Sequence, residues 1–286
     1  MDDPSGRGTA ISVLVPSYNP GEYFREALQS ALGQLGPHDE IVIQDAESTD
    51  GSRELLADFA ASDPRVKPVV ERDGGQSDAL NRALRRARNP WVLWLNADDV
   101  LLDSAVDALR ATLDADATVD VVVGGHQLIR ADGSRIDTFT GRPLDVPAMV
   151  ARGCAAFSGS ILVRTELLRR VGGFERELNT AMDLALQFEI AATRPRQVVI
   201  SDPIGALRFH DASKSANLWR EFVREGHEVR MRHAGGTRQQ VAALLMTARH
   251  LVDARVFRLR LTPSYRIWRR RVLRVTGRRP IMVENE

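Results

Sequence analysis

Lysine is almost missing. Lys67 and Lys214 are the two in 286 residues, so the basic side chains are nearly all arginine. Cysteine is rarer still: Cys154 stands alone, which excludes an intramolecular disulfide and any cysteine-cluster zinc site and fits a reducing compartment. No uninterrupted apolar stretch approaches the roughly 20 residues that a spanning helix needs. The opening "MDDPSGRGTA" is acidic and polar, without the apolar segment of a secretory leader. The expectation is a cytoplasmic protein, soluble or peripheral at the inner face of the plasma membrane. There is no Walker A sequence, and no Gly-x-Gly-x-x-Gly follows the first apolar run. "FSGS" around Ser160 lacks the flanking glycines of a nucleophile elbow, so a serine hydrolase is also set aside.

Hydrophobic residues make up 43% of the chain, enough for a sizeable core in one large α/β domain or two modest ones. The net charge of +1 conceals a division. Residues 204–286 hold 18 Arg and Lys against 7 Asp and Glu, whereas residues 1–203 hold 21 against 31. An acidic body with a basic tail suggests that the tail meets something anionic: a membrane surface, a polyanion or the body itself.

Along the chain, short apolar runs alternate with helical periodicity. "ISVLVPSYN" (11–19), "EIVIQD" (40–45), "VKPVV" (66–70), "WVLWLN" (91–96) and "VDVVVGG" (119–125) read as strands. Helical spacing follows at 22–35, from about Asp50, at 76–88 and at 102–113. This order predicts a mainly parallel, Rossmann-like sheet with helices on both faces. After 125, Asp132–Gly133 reads as a hairpin turn and 140–158 as Pro- and Gly-bearing loop. "SILVR" reads as a strand, "TELLRRV" as a short helix, and 180–192 as an amphipathic helix with Met182, Leu186 and Ile190 on one stripe. From about Asn217, Arg-rich helical patterns dominate. The expected division is a body over 1–215 and a basic helical extension over 216–286.

In such sheets ligands bind beyond the carboxyl ends of the strands. Asp45, Asp73 and the Asp98–Asp99 pair all stand where a strand gives way to a loop. A neighbouring carboxylate pair after the apolar "WVLWL" is what a hard divalent cation needs, since Mg²⁺ or Mn²⁺ takes one or two carboxylates and leaves other positions to phosphates and water. The plainer reading is that "NADD" caps the next helix, a task for which one carboxylate suffices.

Six motifs in order, "VLVPSYN", "IVIQDAESTDGS", "ERDGGQSDALNRAL", "WLNADD", "VGGF" and "AMDLALQF", resemble the family 2 glycosyltransferases, inverting nucleotide-sugar enzymes of GT-A fold, over roughly residues 10–215. The resemblance implies that Pro16, Ser17, Tyr18 and Asp45 line a nucleoside pocket, with Asp73 and the Gly74–Gly75 turn beside them. It implies that Asp98 approaches the ribose, that Asp99 ligates Mg²⁺ or Mn²⁺, and that Asp183 is the general base. His210 would complete the metal or diphosphate site, with Arg208 and Lys214 near phosphate. Thr180 three residues before Asp183 also fits a capping box, a role compatible with catalysis because a helix N-terminus favours the ionised form that a base requires. Two positions depart from the family pattern: Asn96 and Ala185 stand where many relatives have acidic residues. The expected activity is transfer from a nucleotide-sugar donor, taken as UDP-linked, to a glycan or lipid-linked acceptor in cell-envelope polysaccharide synthesis.

Two alternatives remain. A nucleotidyltransferase also uses strand-end Asp residues, but it needs a Gly- and Lys/Arg-rich loop after the first strand, and "PSYNPGEYF" has no basic residue. A non-catalytic nucleotide-sugar or polysaccharide binding module would not need Asp183. The tail, "LLMTARHLVDARVFRLRLTPSYRIWRRRVLRV", reads either as an interfacial helix seeking anionic lipid or as a helical cap with surface arginines. It carries no nucleic-acid fold signature.

Overall fold

The computed structural model describes residues 7–210 and 214–261. Four strands, β1 (Ile11–Ser17), β2 (Glu40–Asp45), β3 (Val66–Val70) and β4 (Trp91–Trp94), alternate with α1 (Phe24–Leu32), α2 (Ser52–Ser62) and α3 (Gln76–Arg86). They pair in parallel in the order β3-β2-β1-β4, as the alternation predicts. The short β5 (Val100–Leu101) and α4 (Ala105–Ala115) follow.

Beyond β4 the sheet is mixed. β6 (Val121–Arg130) and β7 (Arg135–Phe139) form the hairpin expected around Asp132–Gly133, and so tight a turn permits only antiparallel pairing. β8 (Ile161–Arg164) inserts antiparallel between β4 and β6. β9 (Gln197–Phe209) runs parallel to β6 and receives β5 antiparallel at the far edge. Its Pro203 and Gly205 hide this strand from sequence reasoning. The register shift against β6 at Gly125 accommodates them, since a bulge tolerates a residue without an N–H. A Cβ on Gly125 would stand 2.7 Å from the Phe139 carbonyl oxygen, so only glycine allows β7 to close here.

Each face of the sheet carries its own core. On one, α1, α2 and α4 bury Phe24, Leu28, Leu56, Val106 and Leu109 against β1, β2 and β4. On the other, α3, α6 (Thr165–Arg170) and α7 (Met182–Ala192) cover Leu14, Val92, Trp94 and Val121. α7 is buried nearly all round, including Leu184, Gln187 and Phe188, where one apolar stripe was expected. Residues 146–152, expected as loop, form α5, whose start is capped by Asp145 Oδ1 accepting from Ala148 N at 2.8 Å.

The basic extension begins as α8 (Lys214–Asn217), α9 (Trp219–His233) and α10 (Thr237–Leu261). The expected boundary at 215 falls inside α8. α9 packs on α5 and α7, and α10 packs on α5 and α9. The His233 ring stacks on Phe188 at 4.5 Å, and Val229 and Ala243 join the core. The start of the extension is therefore a helical cap. The expected interfacial segment beyond Leu261, with Arg266 to Arg279, lies outside the described residues.

Candidate active site

The carboxyl ends of β1 to β4 open on one cavity of about 1380 Å³, which runs across to the β6–β7 hairpin and the start of α7. Ligand sites commonly occupy roughly 300–1,000 Å³, so this one has room for more than a single small molecule.

At its first end lie Pro16, Ser17 and Tyr18, the last 69% exposed on the rim. Asp45 departs from its expected place. It is fully buried and does not line the cavity. Its carboxylate accepts from Ser17 Oγ at 2.7 Å, Ser48 N at 2.8 Å and Ser48 Oγ at 2.6 Å, tying the loops after β1 and β2 together. Ala46 and Glu47 face the cavity instead. Asp73 does line it. Its Oδ1 accepts from Gly75 N at 2.9 Å, while its buried Oδ2 has no partner among the described residues. Burial, helped by the nearby charges of Asp78 and Asp45, raises its carboxyl above the ordinary range. Gly75 turns the chain into α3 at φ +105°, a conformation that side chains disfavour.

The acidic doublet divides. Asp98 lines the cavity, and its Oδ2 lies 3.1 Å from His210 Nε2. Asp99 is fully buried and points into the frame, where Oδ1 accepts from Arg208 N at 2.9 Å and Oδ2 from Asn96 Nδ2 at 2.8 Å. Burial and the adjoining Asp98 charge raise its carboxyl well above the ordinary range. The expected metal ligand is thus out of reach of the cavity, and the carboxylate beside His210 belongs to Asp98.

Asn96 explains itself in this setting. Its Oδ1 accepts from Gln76 Nε2 at 2.8 Å and Trp94 Nε1 at 2.9 Å while its amide nitrogen serves Asp99. An acidic residue there would set a second carboxylate against Asp99. Lys214 Nζ continues the network to Gln76 Oε1 at 2.9 Å and to Asn179. Arg208, expected near phosphate, is committed elsewhere. Its side chain is buried and donates to the carbonyls of Asp98 at 3.0 Å and Ala131 at 3.1 Å and to Glu26 at 2.7 Å. It clamps the acidic loop rather than meeting a ligand.

Asp183 opens on the same cavity from the first turn of α7. Burial raises its carboxyl, against the hydrogen bond it accepts from Leu184 N at 2.7 Å. Cys154 Sγ lies 3.8 Å from Asp183 Oδ2. The capping box with Thr180 does not form. Thr180 Oγ1 donates to Glu225 Oε2 at 2.8 Å, and the same carboxylate accepts from the backbone N–H groups of Asn179, Thr180 and Ala181. Glu225 of α9, 2% exposed, performs the capping that the sequence offered to Asp183. Ala185 is buried and lines nothing in the cavity, so the departure from the family pattern there removes no cavity group.

Residues 12–143 match the family model "Glycosyl transferase family 2". The chain is 33% identical over 135 residues to the putative teichuronic acid biosynthesis glycosyltransferase TuaG of Bacillus subtilis, covering 46% of this chain and 53% of that protein. It is 25% identical over 190 residues to the chondroitin synthase of Escherichia coli, covering 65% and 27%. The chain thus spans about half the length of the first relative and about a quarter of the second. S. aureus TarS 1–349 in complex with UDP-GlcNAc superposes with a TM-score of 0.64 at 21% identity, covering 85% of this chain and 71% of that one. The mannosyltransferase PcManGT of Pyrobaculum calidifontis, in complex with GDP-Man and Mn²⁺, gives 0.57 at 22% identity, covering 90% and 82%. At these identities the superpositions show the fold.

Proposed function

We propose that this chain, whose residues 12–143 match the glycosyl transferase family 2 model and whose fold is that of GT-A structures, moves a sugar from a nucleoside-diphosphate donor, UDP-linked in our reading, to a hydroxyl acceptor with inversion. The nucleoside lies against Pro16, Ser17 and Tyr18, with Asp73 and Gly75 beside it. Asp45 acts behind this surface by holding the two loops that build it.

A divalent cation fits beside the diphosphate. Asp98 and His210 offer an oxygen and a nitrogen 3.1 Å apart on the cavity wall. Among the described residues no third His, Cys, Asp or Glu joins them. Two protein ligands leave the other positions to phosphate oxygens and water, as Mg²⁺ and Mn²⁺ favour. Such an ion supplies positive charge against which the diphosphate departs. Asp99, assigned to the metal by resemblance, holds Arg208 and Asn96 in this reading, and so fixes the loop that presents Asp98. Lys214, on the same wall, is a cation open to the diphosphate, whereas Arg208 is taken by Glu26.

Asp183 takes the proton of the acceptor hydroxyl as that oxygen attacks from the side opposite the leaving group. One displacement of this kind inverts the sugar carbon. A carboxyl raised by burial suits a general base, because its proton affinity lies nearer to working pH. The observation that carries the reading is that Asp183 faces the cavity of Asp98 and His210 while Glu225 does its capping. Asp183→Asn tests it: turnover should fall by about 10³-fold or more with donor affinity unchanged. Equal turnover would remove the base, and a binding module would lose nothing.

The acceptor is a glycan or lipid-linked glycan of the cell envelope in our reading. Val241, Leu244, Leu245, Leu251 and Val252 form an exposed stripe on α10 at helical spacing, suited to a peripheral anionic membrane surface. Sedimentation with anionic vesicles should fall on removal of residues 240–286, and equal binding by the shortened chain would refute this.

A further inference from the structure

Among the described residues, three cations on the cavity wall have no paired carboxylate: Arg72 next to Asp73 at the nucleoside end, Lys214 beside Gln76, and Arg142. Arg142 lines the wall beyond Asp98 and, among the described residues, no Asp or Glu pairs with it; its guanidinium donates to the carbonyl of Cys154. That contact brings it close to the chemistry, because Cys154 Sγ lies 3.8 Å from Asp183 Oδ2. Of the other cations on this wall, Arg208 is held by Glu26 and by backbone carbonyls, and Lys214, assigned to the diphosphate, lies against Gln76 and Asn179.

The surroundings of Arg142 are those of a carbohydrate site. His126, on β6, stacks against Phe139 of β7 with ring centroids 5.0 Å apart and meets Phe157 at 5.7 Å. Phe139 stays 43% exposed, and with Thr138 and Thr140 it borders the cavity. An aromatic face beside hydroxyls matches a pyranose, which has apolar C–H faces and a polar edge. His126 Nδ1 is buried without a partner among the described residues. Burial, with the Arg142 charge added, lowers the His126 pKa, so the ring is neutral at neutral pH and Arg142 is the positive group here. The strand order places this wall apart from the nucleoside: β1, β2 and β3 lie on one side of β4, and β6 with β7 on the other.

Building on the glycosyl-transfer reading, we propose that this far half of the cavity is the acceptor subsite and that its acceptor carries an oxyanion, a sugar carboxylate or a phosphate, held by Arg142 beside the hydroxyl that Asp183 deprotonates. Phe139 and His126 form the floor on which the acceptor sugar lies.

The test uses the full chain with three probes on one hexose framework: methyl glucoside, methyl glucuronide and methyl glucoside 6-phosphate. Binding is followed by ligand-detected NMR, with and without UDP and Mn²⁺. At least one anionic probe should bind tenfold or more tighter than the neutral one. Arg142→Gln should abolish that preference, Arg142→Lys should keep most of it, and Phe139→Ala should weaken all three probes alike. Whichever anion gains more identifies the group read. No preference for either anion, or a preference that survives Arg142→Gln, overturns the proposal. A thermal shift with UDP and Mn²⁺ on each variant reports the donor site separately: its loss in the wild type would defeat the glycosyl-transfer reading, and its retention in Arg142→Gln shows the variant folded.

Discussion

Glu225→Ala is the substitution by which α9 can be shown to serve the base. The buried carboxylate accepts from Asn179 N at 3.2 Å, Thr180 N at 2.8 Å, Thr180 Oγ1 at 2.8 Å and Ala181 N at 3.0 Å. Hydrogen bonds to a charged acceptor are worth roughly 1.5–3 kcal/mol each, and every N–H orphaned inside a protein costs about 1–3 kcal/mol. Water entering the vacated space recovers much of this, so the net loss should be about 3 kcal/mol, that of one or two N–H groups left without an acceptor. Since a domain of this kind holds about 5–15 kcal/mol, the variant should fold but melt early. The start of α7 then relaxes and Asp183 moves with it. A displacement of about 1 Å at a reacting group costs on the order of 10²-fold in rate.

Urea denaturation measures the first effect as a lower midpoint at unchanged slope. Steady-state kinetics measures the second, with kcat lowered and donor KM held. The pH dependence has a fixed sign. Burial alone would raise the Glu225 pKa, but its hydrogen bonds from Thr180, Asn179 and Ala181 outweigh burial and hold it below the ordinary 4.5. Its contribution is therefore complete above the unfolded value and fades as pH falls through the folded one, so the two proteins should converge in stability in acid. Wild-type midpoint and kcat in Glu225→Ala, or a loss confined to donor affinity, would refute the reasoning.

Asn96→Asp should destabilise by about 2–4 kcal/mol in thermal or urea melts, because the amide that donates to buried Asp99 becomes a second carboxylate. Asp98→Asn should abolish the extra thermal stabilisation that Mn²⁺ adds to UDP while leaving the effect of UDP alone. Burial raises the Asp183 pKa, so kcat should climb with pH over a range above the ordinary 3.8 as the base ionises. The same shift means that ionised Asp183 weakens the fold as pH rises, so Asp183→Asn should melt higher than wild type at neutral pH, with the gain vanishing in acid.

The strand-helix alternation through β4 was legible because each parallel strand is an unbroken apolar run, and the loops that follow carry the polar residues of the cavity. What escaped was decided by partners far along the chain. β9 contains Pro203 and Gly205, and only the β6 bulge makes them compatible with a strand. Glu225 lies more than 40 residues from the backbone it caps, and nothing near Thr180 announces it. Arg142 and His126 sit in segments without a motif, and hairpin closure alone brings them to the cavity. Gln76 and Asn96 lay inside quoted motifs, yet their mutual bond becomes apparent only when the loops after β3 and β4 stand side by side.

The doublet carries one further lesson. Where a strand ends, successive side chains still leave the chain in different directions, so two adjacent carboxylates seldom face one ligand. Asp98 turns to the cavity and Asp99 to the frame, where it accepts the backbone N–H of Arg208. That residue, through its guanidinium, also holds the carbonyl of Asp98 at 3.0 Å. The loop is thus closed on both sides: Asp99 receives from β9, and β9 reaches back to the residue before it. His210 follows Arg208 by two positions, so the clamp that fixes Asp98 also delivers its partner at 3.1 Å. The second carboxylate of the pair is needed because the first must be held still.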